Sequence, residues 1–191
     1  LIGLRLAAEL EQRFARIVVG NGFLHAGRPP RGAGGPGLTN AAAFLAWRTY
    51  ARFSRRCPIS SILQTGSVRR LDDEELRAYD APFPDERYKA GARAFPRLVP
   101  ISPRDPAVEA NQRAWALLER WRKPFLTLFS DQDPITRGLD RVLQARIPGA
   151  QGMPHRIVRG GHFLQEDSGP ELAAAIVEWI ARTPEAASPS S

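Results

Sequence analysis

The sequence has little with which to staple itself together or hold a metal. Its 191 residues include one cysteine (Cys57), one methionine and three histidines. A single thiol excludes an intrachain disulfide and any multi-cysteine metal site. It also fits a reducing compartment, so a cytoplasmic location is expected. Long apolar runs are missing too. None approaches the roughly 18 residues of a membrane-spanning helix, so no membrane partner is expected. No internal repeat of solenoid length is visible. With 43% hydrophobic and 25% charged residues, the chain can bury a sizeable core.

Lysine is scarce as well, with two residues against 25 arginines. The net charge of +7 invites a nucleic-acid reading, but its distribution argues against one. Residues 1–70 hold 11 arginines and two acids (+9), whereas residues 71–191 hold 16 basic and 18 acidic residues (−2). The basic third lacks interleaved aromatics and any zinc-finger or RNP signature, and no nucleic-acid partner is expected.

Along the chain, LIGLRLAAELEQRFAR (1–16) carries apolar residues at helical spacing, and RIVVGNG (16–22) reads as a short buried strand. The helix opens without an N-cap residue. The Pro/Gly run 25–37 is too broken for regular structure and reads as a hinge or insertion. Residues 40–122 read as a helical block. Asn40 is its first expected cap, LDDEELRAYD puts acids in a first turn, and Asp105-Pro106 forms a cap and N1 pair. Then KPFLTLFS (123–130) is a strand, a helix follows near 137–146, PHRIVRG (154–160) is another strand, and SGPELAAAIVEWIAR (168–182) is a helix with Ser168 in its cap region. The tail after 182 reads as frayed. Strands alternating with helices imply an α/β fold with a parallel sheet. Three strands are few for such a sheet, which suggests the C-terminal part of a larger domain.

Chemistry concentrates after the last two strands. Asp131 and Asp133 follow the first, and His162 follows the second, behind two glycines. An acid that orients a histidine base, in that chain order, is the arrangement of α/β-hydrolases, and both groups fall at carboxyl ends of parallel strands. Bland readings stand beside this one. Asp133 could start the helix at 136, His25 and His155 read as structural or surface residues, and Trp115, Trp121 and Trp179 read as core. Cys57 reads as an inert thiol, and the acidic EDSG (166–169) as a cap for the final helix.

On LIGLRLAAE, YDAPFPDERYKAGARAFPRLVP, KPFLTLFSDQDPITRG and GGHFLQEDSGPELA, the chain resembles the haloalkane dehalogenases of the α/β-hydrolase superfamily. The resemblance implies the C-terminal part of an α/β-hydrolase fold with an inserted helical cap. Core would lie at 1–24 and 123–182, hinge and cap at 25–122, and a tail at 183–191. It implies His162 as the general base and Asp133 as the orienting acid, with Asp131 as competitor. Trp47 becomes a halide-binding cap residue, or simply cap packing. In the family the nucleophile is an aspartate in a Gly-x-Asp-Trp-Gly-Gly-like elbow just before a helix like LIGLRLAAE. That nucleophile is therefore expected upstream of Leu1, and the 191 residues alone are expected not to turn over. The implied reaction cleaves a carbon–halogen bond through a covalent alkyl ester, yielding alcohol and halide. Its partners are a small haloalkane and water, with no cofactor or metal. Two alternatives stay open. An epoxide hydrolase or esterase relative would turn cap tyrosines (Tyr50, Tyr79, Tyr88) toward His162; an inactive remnant or binding module would have no nucleophile at all.

Overall fold

The computed structural model describes residues 2–27 and 38–183. Leu1, most of the expected hinge (28–37) and the tail from 184 lie outside the described residues.

The sheet is organised by β2 (Phe125–Ser130), whose six residues are all buried. A parallel strand covered on both faces needs this nearly continuous apolar run. β1 (Ile17–Gly20) pairs on one side of it and β3 (Arg156–Val158) on the other, both parallel, in the order β1-β2-β3. Phe125 and Phe129 point into a core shared with α1 (Ile2–Glu9), α6 (Val108–Leu118) and α7 (Leu139–Arg146). Leu126 and Leu128 point the other way, to Val158 and to Leu172, Ala175 and Trp179 of α8 (Leu164–Arg182). The sheet is thus a middle layer between two cores, as an α/β fold requires. The three tryptophans read as core are buried: Trp115 donates to the Leu24 carbonyl at 2.7 Å, and Trp121 and Trp179 are almost inaccessible.

Between β1 and β2 the described residues hold helices and turns only. They are α2 (Leu38–Phe53), α3 (Ile59–Gly66), α4 (Asp73–Asp80), α5 (Ala90–Leu98) and α6, with α2 packed on α5 and α3 on α4. The acids before α4 form a capping box. The Asp72 carboxylate accepts from the Glu74 and Glu75 amides, and Glu75 reaches back to the Asp72 amide.

Several boundaries differ from expectation for visible reasons. The first helix stops at Glu9 and gives way to a 3-10 turn over Glu11–Arg13. The Lys123 ammonium donates to the Glu11 and Phe14 carbonyls (2.7 and 2.9 Å), so a cation distant in sequence satisfies carbonyls left open past the helix end. α2 begins at Leu38, so Asn40 lies within it rather than capping it. Asp105 does not cap α6, which starts at Val108; its carboxylate accepts from the Ile101 and Ser102 amides (2.8 and 2.7 Å) and closes a turn instead. The last helix already begins at Leu164 and kinks at Ser168 (φ −141°, ψ 31°). Pro170 accounts for the kink, since it has no amide and crowds the carbonyl four residues back. Ser168 spends its hydroxyl on the Arg159 carbonyl at 2.6 Å.

Candidate active site

All three strands deliver polar residues at their carboxyl ends, where open α/β sheets place their sites. Just past β2 the chain bends at Asp133, which is fully buried. Its carboxylate accepts the Ile135 amide at 2.8 Å, the Thr136 amide at 3.2 Å and the Thr136 hydroxyl. Asp133 therefore does organise the turn toward the next helix. It also faces His162, whose Nδ1 lies 3.2 Å from each carboxylate oxygen. Burial pushes the Asp133 carboxyl up, but the hydrogen bonds of His162 and Thr136 outweigh it and hold it below the ordinary carboxylate range.

An ionised carboxylate only accepts, so Nδ1 must carry a proton and donate it. In the neutral ring the basic lone pair is then on Nε2, pointing away from Asp133. Such a ring can take a proton on Nε2 while the buried carboxylate stabilises the resulting cation.

Asp131 has different work. It is exposed, its Oδ1 accepts from the Gly160 amide at 3.0 Å, and its backbone carbonyl takes the Arg137 guanidinium. That amide contact, first among several, lowers its carboxyl. Among the described hydrogen bonds it ties the loop before the histidine and does not reach the ring.

Asn21, in sequence no more than the residue closing a strand, is central to the site. It is buried, with φ 39°, a left-handed conformation that asparagine tolerates better than most residues. Its Oδ1 accepts from the Ser130 amide at 2.9 Å. Its Nδ2 reaches Ser130 Oγ and the Gly161 carbonyl, each at 2.8 Å, and the His162 carbonyl at 3.1 Å. One side chain thereby pins the ends of β1 and β2 to the histidine loop. Ser130 Oγ adds its own donation to the Gly161 carbonyl at 2.6 Å.

The helical segment approaches the same loop through α3. The last carbonyl of that helix, Gly66, accepts from the amides of His162 (2.7 Å) and Phe163 (3.3 Å). The approach is so close that a Cβ on Gly66 would stand 2.6 Å from the Phe163 ring, and one on Gly161 would stand 2.3 Å from the Gly66 oxygen. Both glycines are needed for this backbone contact.

The acidic residues after His162 do not cap the final helix as expected: it starts at Leu164 with no side-chain cap, and Glu166 and Asp167 lie within it and bond elsewhere. Asp167 accepts from the amides of Gly161 (2.7 Å), Arg69 (2.8 Å) and Val68 (2.9 and 3.0 Å to its two oxygens). Burial opposes its ionisation, yet these amides hold its carboxyl below the usual range. Glu166 takes the Tyr79 hydroxyl and the Arg69 guanidinium, and Arg69 also pairs with Glu75.

Of the tyrosines, Tyr79 is thus engaged with Glu166, Tyr50 donates to the Arg56 carbonyl at 3.0 Å, and Tyr88 is exposed. None of the three is hydrogen-bonded to His162. Trp47 is half-buried on α2, with its ring stacked on Tyr50 at 5.9 Å between centroids. His155 is structural. Its Nδ1 accepts from the Thr127 amide at 3.0 Å, which leaves Nε2 to donate to the Ala150 carbonyl at 2.9 Å. Burial pushes the Cys57 thiol up, as suits an inert residue.

With an acid–histidine pair at the strand ends and a helical insertion docked over it, comparison with known proteins becomes informative. A haloalkane dehalogenase from Mycolicibacterium paratuberculosis is 50% identical over 182 residues, which is 94% of this chain and 56% of that protein. One from Mycobacterium marinum is 51% identical over 181 residues, 94% of this chain and 57% of that protein. One from Psychrobacter cryohalolentis is 46% identical over 185 residues, 96% of this chain and 58% of that protein. Over nearly its whole length the chain is similar to haloalkane dehalogenases.

It spans somewhat more than half the length of these curated relatives. The tetrameric haloalkane dehalogenase from Paraglaciecola agarilytica superposes with a TM-score of 0.75 at 22% identity, covering 94% of this chain and 56% of that one. The haloalkane dehalogenase from Agrobacterium tumefaciens gives 0.70 at 20%, covering 94% and 62%. At that identity the likeness speaks for the fold, which is that of the α/β-hydrolases. No protein-family profile matches the chain.

Proposed function

We propose that this chain carries the base and the orienting acid of a haloalkane dehalogenase. The observation that carries the reading is the His162–Asp133 pair, its Nδ1 3.2 Å from both oxygens of a buried carboxylate, in a chain about half identical to such enzymes. In the first step a carboxylate displaces halide from the substrate carbon, forming an alkyl ester and releasing X⁻. In the second, water attacks the ester while His162 Nε2 removes its proton; the alcohol leaves and the carboxylate is regenerated. Asp133 fixes the ring and stabilises the imidazolium, which then gives its proton to solvent. The sum is haloalkane plus water to alcohol, halide and a proton.

On this reading the nucleophile is an aspartate ahead of α1, and Trp47 donates its indole N–H to the departing halide from the cap. A halide leaves as an anion and needs donors rather than an acid. Opening an epoxide requires an acid at the oxygen, and the engagement of Tyr79 and Tyr50 elsewhere weighs against that alternative.

The test is product analysis of the natural protein with a short bromoalkane. Bromide and alcohol should form in equal amounts. Turnover of epoxides or esters without any halide release would overturn the reading.

A further inference from the structure

Nothing in the proposed chemistry uses Asp167, yet its carboxylate joins two segments that lie far apart in the chain. Three backbone amides point at it: Gly161, directly before His162, and Val68 and Arg69, directly after α3. Hydrogen bonds to an ionised acceptor are about twice as strong as neutral ones. The surroundings hold that carboxylate in place. The Arg69 Nε donates to the Glu166 carbonyl at 2.6 Å, its terminal nitrogens pair with Glu75 and Glu166, and Gln64 accepts the Leu71 amide while donating to the Arg69 carbonyl, both at 2.9 Å. The groups that face Asp167 are therefore cationic Arg69, anionic Glu166 and Glu75 beyond it, and backbone amides.

We infer that Asp167 is a positioning residue: it carries the position of the α3 end to His162 and holds the ring where Nδ1 meets Asp133. The route is short. Asp167 fixes the Gly161 amide, Asn21 fixes the Gly161 and His162 carbonyls, and the Gly66 carbonyl fixes the His162 amide. The backbone on both sides of His162 is thus clamped, from the sheet by Asn21, from α3 by Gly66, and by Asp167 of α8, which itself holds the α3 end. If the Asp167 clamp is released, the Gly161 amide loses its acceptor while the Asn21, Ser130 and Gly66 contacts remain, and the loosened peptide lets the imidazole tilt away from a carboxylate that is itself immobile. The inference deepens the proposed role of His162 as base. Its observable is the His162–Asp133 hydrogen bond itself.

That bond has a spectroscopic signature, since a ring N–H shared with a buried carboxylate gives a far-downfield proton resonance protected from exchange. Only three histidines are present, so labelling histidine with ¹⁵N gives a spectrum that is simple to assign. Asp133→Asn identifies the His162 signal by abolishing it. The decisive variant is Asp167→Asn, which keeps shape but leaves one acceptor oxygen for three amides and turns a donor toward them. The expected result is loss or exchange broadening of the downfield His162 signal. The His155 ring signals, whose bonds to Thr127 and Ala150 lie at the opposite, amino-terminal end of β3, should stay unchanged.

An unchanged His162 signal in Asp167→Asn overturns the inference. If His155 also changes, the fold has been disturbed and Arg69→Met decides, since it loosens the α3 anchor without touching the histidine loop. Selective weakening of the His162 signal then supports the coupling, and no change refutes it. Because the readout needs no turnover, a protein that passes this test and releases no halide would refute the dehalogenase reading while leaving the positioning role intact.

Discussion

Two aspartates two residues apart end up with separate tasks, and the difference lies in what each carboxylate meets. Asp133 is buried and shared between the turn at Thr136 and the ring of His162, while Asp131 is exposed and bound to the Gly160 amide. On the proposed reading, Asp133→Asn should lower kcat by about 10⁴-fold, as when a triad carboxylate is replaced. Asp131→Asn should change it only a few-fold; steady-state halide release measures both, and the reverse ranking would exchange the roles of the two residues. The same carboxylates contribute to the acid limit of the fold. Asp131, Asp133 and Asp167 all titrate below their ordinary values. A lowered native pKa gives stability that is full above the unfolded value of about 3.9 and is lost as pH falls through the native one. The urea midpoint should therefore stay level from neutrality to about pH 5 and drop steeply below about pH 4. A flat profile to pH 3 would contradict this.

At the scale of elements, the α3 end lies in tight backbone contact with the loop after β3. Gly66→Ala should destabilise by about 1–3 kcal/mol, the usual cost of overpacking. Gly161→Ala should cost more, because its Cβ meets a backbone oxygen at 2.3 Å rather than a ring that can shift. Denaturant titration of both variants gives the ranking. These contacts also mark where the sequence stops being readable. The apolar run of β2, the alternation of strand and helix, and an acid followed by a histidine 29 residues later are local patterns, and they were legible. The roles of Asn21 and Asp167 were not, because each acts across about 100 residues of chain on backbone groups that any sequence possesses. Asp167 looked like an ordinary helix-capping acid, and Asn21 like an ordinary turn residue. The contact of Lys123 with the carbonyls past the first helix has the same character, since it spans more than 100 residues of chain.

For the molecule as a whole, the described sheet has three strands, and β1 pairs on one side only. Ile2 and Leu6 on the neighbouring helix are exposed at 62% and 43%. Unpaired strand edges and exposed apolar faces invite association. The isolated 191-residue chain should therefore associate with rising concentration in sedimentation velocity; a strictly monomeric species with a cooperative high-temperature melt would contradict this. No helix among the described residues is long and apolar enough to cross a membrane. The central claim, that His162 serves the hydrolytic step, is tested most directly by comparing the natural protein with His162→Gln on a bromoalkane, following bromide release and intact mass together. Continuous turnover is expected of the protein with His162 intact. The variant should release no more than one bromide per molecule and keep the alkyl group as added mass, because displacement proceeds without the base and hydrolysis of the ester does not. Sustained turnover by His162→Gln, with no adduct, would contradict it.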